Sequence, residues 1–191
     1  MFGACLNHVS LAEVAAVTSG LTKNSKREML PLQLPYLRVA NVFFDAIDTS
    51  EILEIGLTEE ERDKTLLRSG DLLFVEGNGS PEQIGRVAIW HDEIVPCVHQ
   101  NHIIKARFDT SQVIPTYAMH FFMSQEGRKQ IKAKAVSTSG LYTLSVSKIA
   151  DLCLPLPDIA SQAAFCNFVE QADKSKFVAR QATTSTYSMI Q

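Results

Sequence analysis

Side chains with hydrogen-bonding groups are concentrated in one short loop between two apolar runs. The segment 77–81 reads Gly-Asn-Gly-Ser-Pro, which interrupts any regular element, and Gln83 and Arg86 follow it. Its two glycines let the backbone approach another surface closely. Loops held by a rigid scaffold are where binding residues tend to lie. The segment is therefore a candidate recognition loop, with a solvated hairpin connection as the alternative.

A second group of candidate residues is cationic. From Gly127 to Lys148 there are five bases and no acid, whereas the segment from Asp45 to Asp63 holds eight acids and one base. A basic block of this kind is typical of a phosphate-contacting surface, or of a solvated face. The net charge of −3 argues against a nucleic-acid partner, but the uneven distribution of charge keeps that partner possible.

Known catalytic motifs do not occur in the chain. There is no P-loop, no G-x-G-x-x-G fingerprint and no G-x-S-x-G elbow. Asp71 and Glu76 lie five positions apart along one predicted strand, and hence on opposite faces, which argues against a paired-carboxylate centre. We therefore expect no intrinsic catalysis.

The cysteines and histidines do not indicate a metal site. The cysteines, at positions 5, 97, 153 and 166, lack C-x-x-C spacing, so reduced thiols in a cytoplasm are the simplest account. In a continuous strand over Pro96–Phe108, His102 points away from Cys97 and His99. A closed metal site needs about four convergent ligands, which this segment does not supply.

Apolar periodicity and turn residues predict the elements that position these groups. Two capping boxes predict helices over 11–17 and 58–67, and further helices are expected from Pro115, over 128–134 and after Pro157. The segment 136–142 is predicted to be a small polar loop. The predicted strands are Pro35–Val39 with an extension through Asn41–Ile47, then Leu72–Val75, Ile84–Trp90, Pro96–Phe108 and Leu152–Leu156.

Length and composition indicate one globular domain with an appendage. A chain of 191 residues with 46% hydrophobic residues is long enough to bury a core. No apolar run approaches the ~20 residues of a membrane span. The N-terminus has no basic segment before an apolar stretch, so we expect a cytoplasmic protein. We place the domain at 1–157 and the appendage at 158–191.

The appendage is predicted to be a helix with one apolar face. Phe165, Phe168, Val169 and Ala172 follow the i, i+3, i+4, i+7 rule of such a face. This stripe must be buried, either against the chain's own domain or against a partner chain.

Six short motifs occur in an order that resembles a known family. They are residues 13–20, 35–42, 69–73 with 84–86, 100–102, 137–149 and 154–157. In this order, over roughly residues 10 to 165, the chain resembles a target recognition domain of the DNA specificity (S) subunit of Type I restriction–modification systems. It departs from the family pattern at Ser161-Gln162, where Glu-Gln is usual, and at His8-Val9, where Trp is frequent.

The resemblance implies a fold and a set of partners. The fold would be α/β (α+β): a target recognition domain with a twisted, mostly antiparallel sheet and flanking short helices, followed by a C-terminal spacer/assembly helix. It would read one half of a bipartite double-stranded DNA target. The helices would dock methyltransferase (M) subunits, which bring S-adenosylmethionine, and through them restriction (R) subunits, which bring ATP. The chain itself would hold no cofactor.

A full S subunit resembles two recognition domains separated by two long helices. The chain therefore corresponds to a half-length subunit or to a fragment of a longer one. A half-length chain would need a second copy to supply the counterpart of its helix, which implies a homodimer through the C-terminal helix.

Residue chemistry then divides the candidate DNA contacts into two kinds. For base edges, Asn78 and Gln83 suit adenine, Arg86 suits guanine, and hydroxyl groups suit several bases. A salt bridge of Arg86 with Glu76 or Glu82 is the alternative. The hydroxyl candidates are Ser80, Ser137, Ser139 and Tyr142. The phosphate candidates are Arg128, Lys129, Lys132 and Lys134, with Lys23 and Arg27 as a second group.

Two other functions stay open at this point. One is a small nuclease-type enzyme, and the other is a protein-interaction module without DNA affinity. Steep weakening of DNA binding with rising salt would distinguish a DNA-binding protein from the latter.

Overall fold

A computed structural model describes residues 7–138 and 140–188 of the chain, with the side chains of Asn78, Thr138 and 177–188 excepted. The helices are α1 (Leu11–Val14), α2 (Glu59–Thr65), α3 (Pro115–Met123), α4 (Gln125–Lys134), α5 (Val146–Ala150) and α6 (Ile159–Ser188). The strands are β1 (His8–Ser10), β2 (Ala15–Ser19), β3 (Leu32–Leu37), β4 (Val42–Phe43), β5 (Ala46–Ile47), β6 (Leu53–Leu57), β7 (Leu72–Val75), β8 (Gly77–Asn78), β9 (Val87–Ile89), β10 (Val98–His99), β11 (Ile103–Phe108), β12 (Val136–Thr138), β13 (Leu141–Thr143) and β14 (Cys153–Pro155).

The strands form several small sheets around one central sheet. The central sheet has the order β2-β11-β7-β9, with every neighbouring pair antiparallel. Beside it lie the sheets β10-β3-β6 and β12-β13-β8 and the pairs β1-β14 and β4-β5. Only β10 and β3 run parallel among the strands that the structure describes. The predicted α+β, mostly antiparallel fold is confirmed, although short strands and turns divide the expected single sheet.

Strand β7 is buried on both faces and separates two parts of the core. Phe74 packs against Phe122 of α3 with the ring centroids 5.4 Å apart. Leu73 and Val75 face the other way, into a cluster that contains Trp90. A continuous apolar run such as Leu72–Val75 is what a strand with two buried faces requires.

A buried carboxylate joins the central sheet to α2. Asp71, directly before β7, is 1% exposed and accepts hydrogen bonds from Nε and Nη2 of Arg107 on β11, both at 2.7 Å. It also accepts the backbone N–H of Arg68 at 2.8 Å. Arg107 Nη2 and Lys105 Nζ donate to the carbonyl of Leu66, just after α2. Burial lowers the pKa of Lys105 to about 8.

Asn41 explains why the predicted strand extension over Asn41–Ile47 is wrong. Its side chain accepts the backbone N–H of Arg38 at 2.8 Å and donates to the carbonyls of Asp48 and Glu51. These bonds bend the chain through a 3₁₀ helix, Val39–Asn41, into the hairpin β4-β5.

The predicted continuous strand Pro96–Phe108 is also wrong, because a turn at Asn101-His102 divides it into β10 and β11. His99 is fully buried, and its Nδ1 lies 2.9 Å from the carbonyl oxygen of Ile103 across this turn. Burial, with the Lys105 charge nearby, lowers the pKa of His99 to about 3. Among the described residues no group of three or more His, Cys, Asp or Glu side chains could hold a metal ion.

The beginning of α6 packs onto the chain's own domain. Gln162 is fully buried; it accepts the backbone N–H of Ile114 and donates to the carbonyls of Gln112 and Pro157. Phe165 packs edge-on against Tyr117, with the ring centroids 5.6 Å apart. Phe168, by contrast, is 60% exposed. The predicted stripe of Phe165, Phe168, Val169 and Ala172 is thus not one buried face, because Phe168 lies on the outer side of the helix.

None of the helices in the described part of the chain combines the length and the apolar character that a membrane crossing needs.

The Asp71→Asn variant should lose about 3 kcal/mol of unfolding free energy, because it leaves the Arg107 guanidinium without its buried counter-charge. This value is at the lower end for buried pairs, since the Arg107 side chain is still 30% exposed. Urea denaturation measures the loss. The matched control is Glu60→Gln, which breaks an exposed pair with Lys64 on α2 and should cost less than about 1 kcal/mol. Equal losses in the two variants would contradict the role given to Asp71.

Candidate nucleic-acid interface

The recognition loop and the segment 136–142 form one small sheet. Strand β8 continues from β7 and pairs with β13, where Asn78 lies opposite Tyr142 and Gly77 opposite Thr143. Strand β13 pairs in turn with β12. The predicted small polar loop at 136–142 is therefore a β-hairpin. Two groups of candidate base-contacting residues, more than 50 positions apart in sequence, are brought together by this pairing.

The recognition loop extends to residue 86, and its second half is a tight turn that packs against α4. The carbonyl of Ser80 accepts the backbone N–H groups of Gln83 and Ile84. Gly85 has φ +60°, and a Cβ there would lie 2.4 Å from Cγ2 of Ile131 on α4. Only glycine suits both this backbone conformation and this close approach. The loop is thus held against α4 before any ligand binds.

Arg128, also on α4, binds the backbone of the same turn. Its guanidinium donates to the carbonyls of Glu82, Ile84 and Gly85 at 3.1, 2.7 and 2.8 Å. It also lies over the ring of Phe44, 5.0 Å from the centroid. Arg128 thus has a structural role, because its donors are directed at the loop carbonyls. The phosphate contact of Arg128 stays a prediction.

Arg86 lies at the end of the loop next to Gln83. Its Nη2 donates to the carbonyl of Val39 at 3.1 Å, its Nη1 lies 3.5 Å from Gln83 Oε1, and its guanidinium lies over the half-exposed ring of Phe43. Burial lowers the pKa of Arg86. The alternative salt bridge with Glu76 or Glu82 is not present among the described residues.

The lysines of α4 differ in how they are paired. Lys132 contacts Glu82 of the recognition loop at 2.7 Å, which lowers the pKa of that carboxyl group. Lys134 Nζ lies 3.8 Å from Asp151. Lys129 is exposed, and no ion pair joins it to any residue that the structure describes. Lys129 is thus the α4 cation most available to a phosphate group.

The second predicted phosphate group, Lys23 and Arg27, lies in a different part of the molecule. Lys23 is exposed. Arg27 is 13% exposed in its side chain, forms two hydrogen bonds with Glu61 and donates to the carbonyls of Thr22 and Gly56. The Arg27 guanidinium lowers the pKa of Glu61 to about 2. Arg27 is therefore paired with the acidic segment, and its phosphate contact stays a prediction.

The hydroxyl candidates are found at different depths. Ser137 on β12 is exposed, Ser80 is partly buried, and Tyr142 is partly buried against the main core. The side chain of Asn78 and the whole of Ser139 lie outside the part of the chain that the structure describes.

Sequence reasoning missed two features of this surface. The hairpin β4-β5 places Phe43 and Phe44 under the two arginines, and the pair of adjacent phenylalanines was the available signal. His102 Nδ1 lies 2.8 Å from Glu76 Oε2. No local pattern indicates that pair, since its members are 26 positions apart.

Replacing Arg128 by Ala should loosen the recognition loop without unfolding the domain, because it removes three charge-assisted hydrogen bonds to loop carbonyls. Hydrogen exchange followed by mass spectrometry should show faster exchange in residues 80–86, with a stability loss of about 1.5–3 kcal/mol. The matched control, Lys129→Ala, removes the neighbouring exposed charge and should leave this exchange unchanged. Unchanged exchange in the Arg128 variant would show that these three hydrogen bonds are not needed to hold the recognition loop.

The comparisons with known proteins place this geometry among its relatives. No family model matches the chain. It is 31% identical over 142 residues to the Type I restriction enzyme EcoKI specificity subunit of Escherichia coli K12. It is 25% identical over 142 residues to the Type I restriction enzyme StySPI specificity subunit of Salmonella potsdam. These alignments include 72% of the chain but only 30% and 31% of the relatives, so the chain spans less than a third of their length.

Solved structures agree in fold. The HsdS subunit from Thermoanaerobacter tengcongensis superposes with a TM-score of 0.63 at 14% identity, covering 92% of this chain and 39% of that one. A second structure concerns complex assembly and conformational transition of the type I R-M system. It superposes with a TM-score of 0.66 at 15% identity, covering 94% of this chain and 41% of that one.

The motif order, the curated relatives and the fold therefore lead to one assignment. Over most of its described length, the chain is a homologue of one part of the specificity subunits of Type I restriction enzymes, with a target recognition domain fold followed by a C-terminal helix.

Proposed function

We propose that the chain is a DNA recognition module that reads one half of a bipartite target for a Type I restriction–modification complex. The observation that carries the proposal is the joining of the recognition loop and the hairpin β12-β13 into one sheet, beside the basic helix α4. The relatives with the same fold are named as specificity subunits, which supports a role in recognition.

The proposed contacts follow from side-chain chemistry and exposure. Lys129, Lys132 and Lys134 contact phosphates and set the position on the duplex, with Lys23 as a more distant contact. Gln83 and Arg86 lie side by side and read base edges in the major groove. The remaining base-edge candidates from the sequence are Asn78, Ser80, Ser137, Ser139 and Tyr142.

The chain acts through partners and is not itself an enzyme in this proposal. Residues 1–157 form the DNA-binding domain and 158–191 begin the spacer/assembly helix. Methyltransferase subunits bring S-adenosylmethionine and restriction subunits bring ATP, so the chain needs no cofactor of its own. The complex works on DNA in the cytoplasm.

The exposed side of α6 is the proposed surface for a second copy of the chain. Phe165 is occupied by its contact with Tyr117, whereas Phe168 presents a large apolar side chain to solvent. In the proposed dimer, a second copy of the helix covers Phe168 and removes its apolar surface from water. A two-fold pair of such helices would give a dimer that reads a symmetric bipartite target.

DNA binding by the full chain should weaken steeply with salt, and Lys129→Ala combined with Lys132→Ala should flatten that dependence. Removing one phosphate contact reduces the slope of log K against log salt by about 0.9. Fluorescence anisotropy with a labelled duplex between low and physiological salt measures the slope. The control is Lys64→Ala, which removes a charge from the acidic part of the chain and should leave the slope unchanged. The same change in both variants would mean a response to net charge and would argue against an interface at α4.

The Phe168→Ser variant should convert a dimer into a monomer without loss of stability, because Phe168 is exposed within one chain. Sedimentation velocity measures the assembly state, and thermal unfolding measures the stability. Phe165→Ser is the matched control on the same helix; it should lower the thermal midpoint, because Phe165 packs on Tyr117 and His120. A wild-type chain that sediments as a monomer at every concentration would rule out the homodimer.

A further inference from the structure

An open hollow of about 290 Å³ lies where β13 and the start of β8 meet the turn before β11 and the first residue of the 3₁₀ helix. A single water molecule occupies about 30 Å³ of liquid, so the hollow has room for a larger group. Most of its surface is apolar. The residues around it are Val39, Glu76, Gly77, His102, Leu141 and Thr143.

Glu76 is the acidic group of this hollow, and the fold fixes its position. Its backbone N–H donates to the carbonyl of His102 at 2.9 Å, and its own carbonyl accepts the N–H of Leu144 at 2.8 Å. Its Oε2 lies 2.8 Å from Nδ1 of His102. In the described part of the chain, the second carboxylate oxygen, Oε1, has no hydrogen-bond partner. The hollow thus contains an oriented acceptor beside apolar walls.

We infer that this hollow is a base-reading subsite that selects cytosine at one position of the half-target, with Glu76 as the acceptor and His102 as a positioning residue. The inference rests on the proposed function and names one part of its specificity. A carboxylate repels phosphate, so within a DNA interface it must face a hydrogen-bond donor. The exocyclic amine of cytosine is the donor that Glu and Asp accept from in the major groove.

The other bases fit the hollow less well. Guanine presents two acceptors in the major groove and thymine presents one with a methyl group, so neither offers the carboxylate a donor. Adenine offers an amine but places the N7 acceptor beside it, where a carboxylate has no donor to give. The rest of the cytosine edge consists of C–H groups, which suit walls formed by Val39, Leu141 and Thr143.

The surroundings of the hollow are consistent with a C·G pair. Arg86, which suits guanine, donates to the carbonyl of Val39, one of the residues that line the hollow. An acceptor for cytosine and a donor for guanine therefore lie close together on the surface.

The test is selection of preferred sites from a pool of random DNA duplexes, using the full chain together with the methyltransferase subunit encoded in its own genome. The wild type should select a cytosine at one position of the half-target. Glu76→Gln should reduce that enrichment by about tenfold, within the range of one good base contact, and shift the preference to adenine, because an amide can both donate and accept. His102→Asn should reduce the discrimination at the same position without changing the preferred base.

The matched control is Glu60→Gln, which removes the same charge from α2, where the carboxylate contacts Lys64. It should leave the selected sequence unchanged. Thermal unfolding of each variant shows whether the fold is retained, and Glu76→Asp supplies a second variant that keeps the charge if the amide does not fold. If Glu76→Gln and wild type select the same sequence, the subsite is wrong and the proposed function stands. If the wild type selects no sequence, the proposed function itself fails.

Discussion

The ion pair between Asp71 and Arg107 connects the elements on which the rest of the domain depends. Asp71 lies just before β7, Arg107 lies on β11, and Arg107 also reaches the chain just after α2. A carboxylate with so little contact with water is tolerated only when its oxygens are all occupied by charged or polar donors. Because β7 leads directly into β8 and the recognition loop, the position of this pair determines where the candidate interface begins.

The motif residues and the candidate DNA contacts have different physical roles. Asn41, Asp71 and Gln162 belong to the motifs or stand beside them, yet each is buried and bonded to backbone groups of its own chain. The candidate DNA contacts lie at the surface instead: Gln83 in a loop, Lys129 on α4 and Ser137 on β12. A fixed frame with exchangeable surface residues lets one fold present many different reading surfaces, since changes at the surface leave the buried hydrogen bonds intact.

Local pattern was sufficient for the elements whose residues interact with near neighbours. The apolar run of β7, the capping box before α2 and the Pro at the first turn of α3 all act within a few residues. The turns that break the two predicted strands were not predicted, because bonds between side chains and backbone hold them. Asn41 donates to the carbonyl of Glu51, ten positions away, and His99 contacts the carbonyl of Ile103 across the second turn. The partners of Arg27 and Arg128 within the chain could not be predicted either. Sequence displays the charge of an arginine but not its partner, and these partners lie 34 and 43 positions away.

The hydrogen bonds of Gln162 attach the beginning of α6 to the domain, and this attachment has a geometric consequence. The helix has 30 residues and so extends about 45 Å at 1.5 Å per residue. A tilt of about 10° at the root would displace the far end by ~8 Å, which is more than two base-pair steps of 3.4 Å. In the proposed complex, where two modules share a bipartite target, the three hydrogen bonds of Gln162 would thus limit the error in the number of base pairs between the two half-targets.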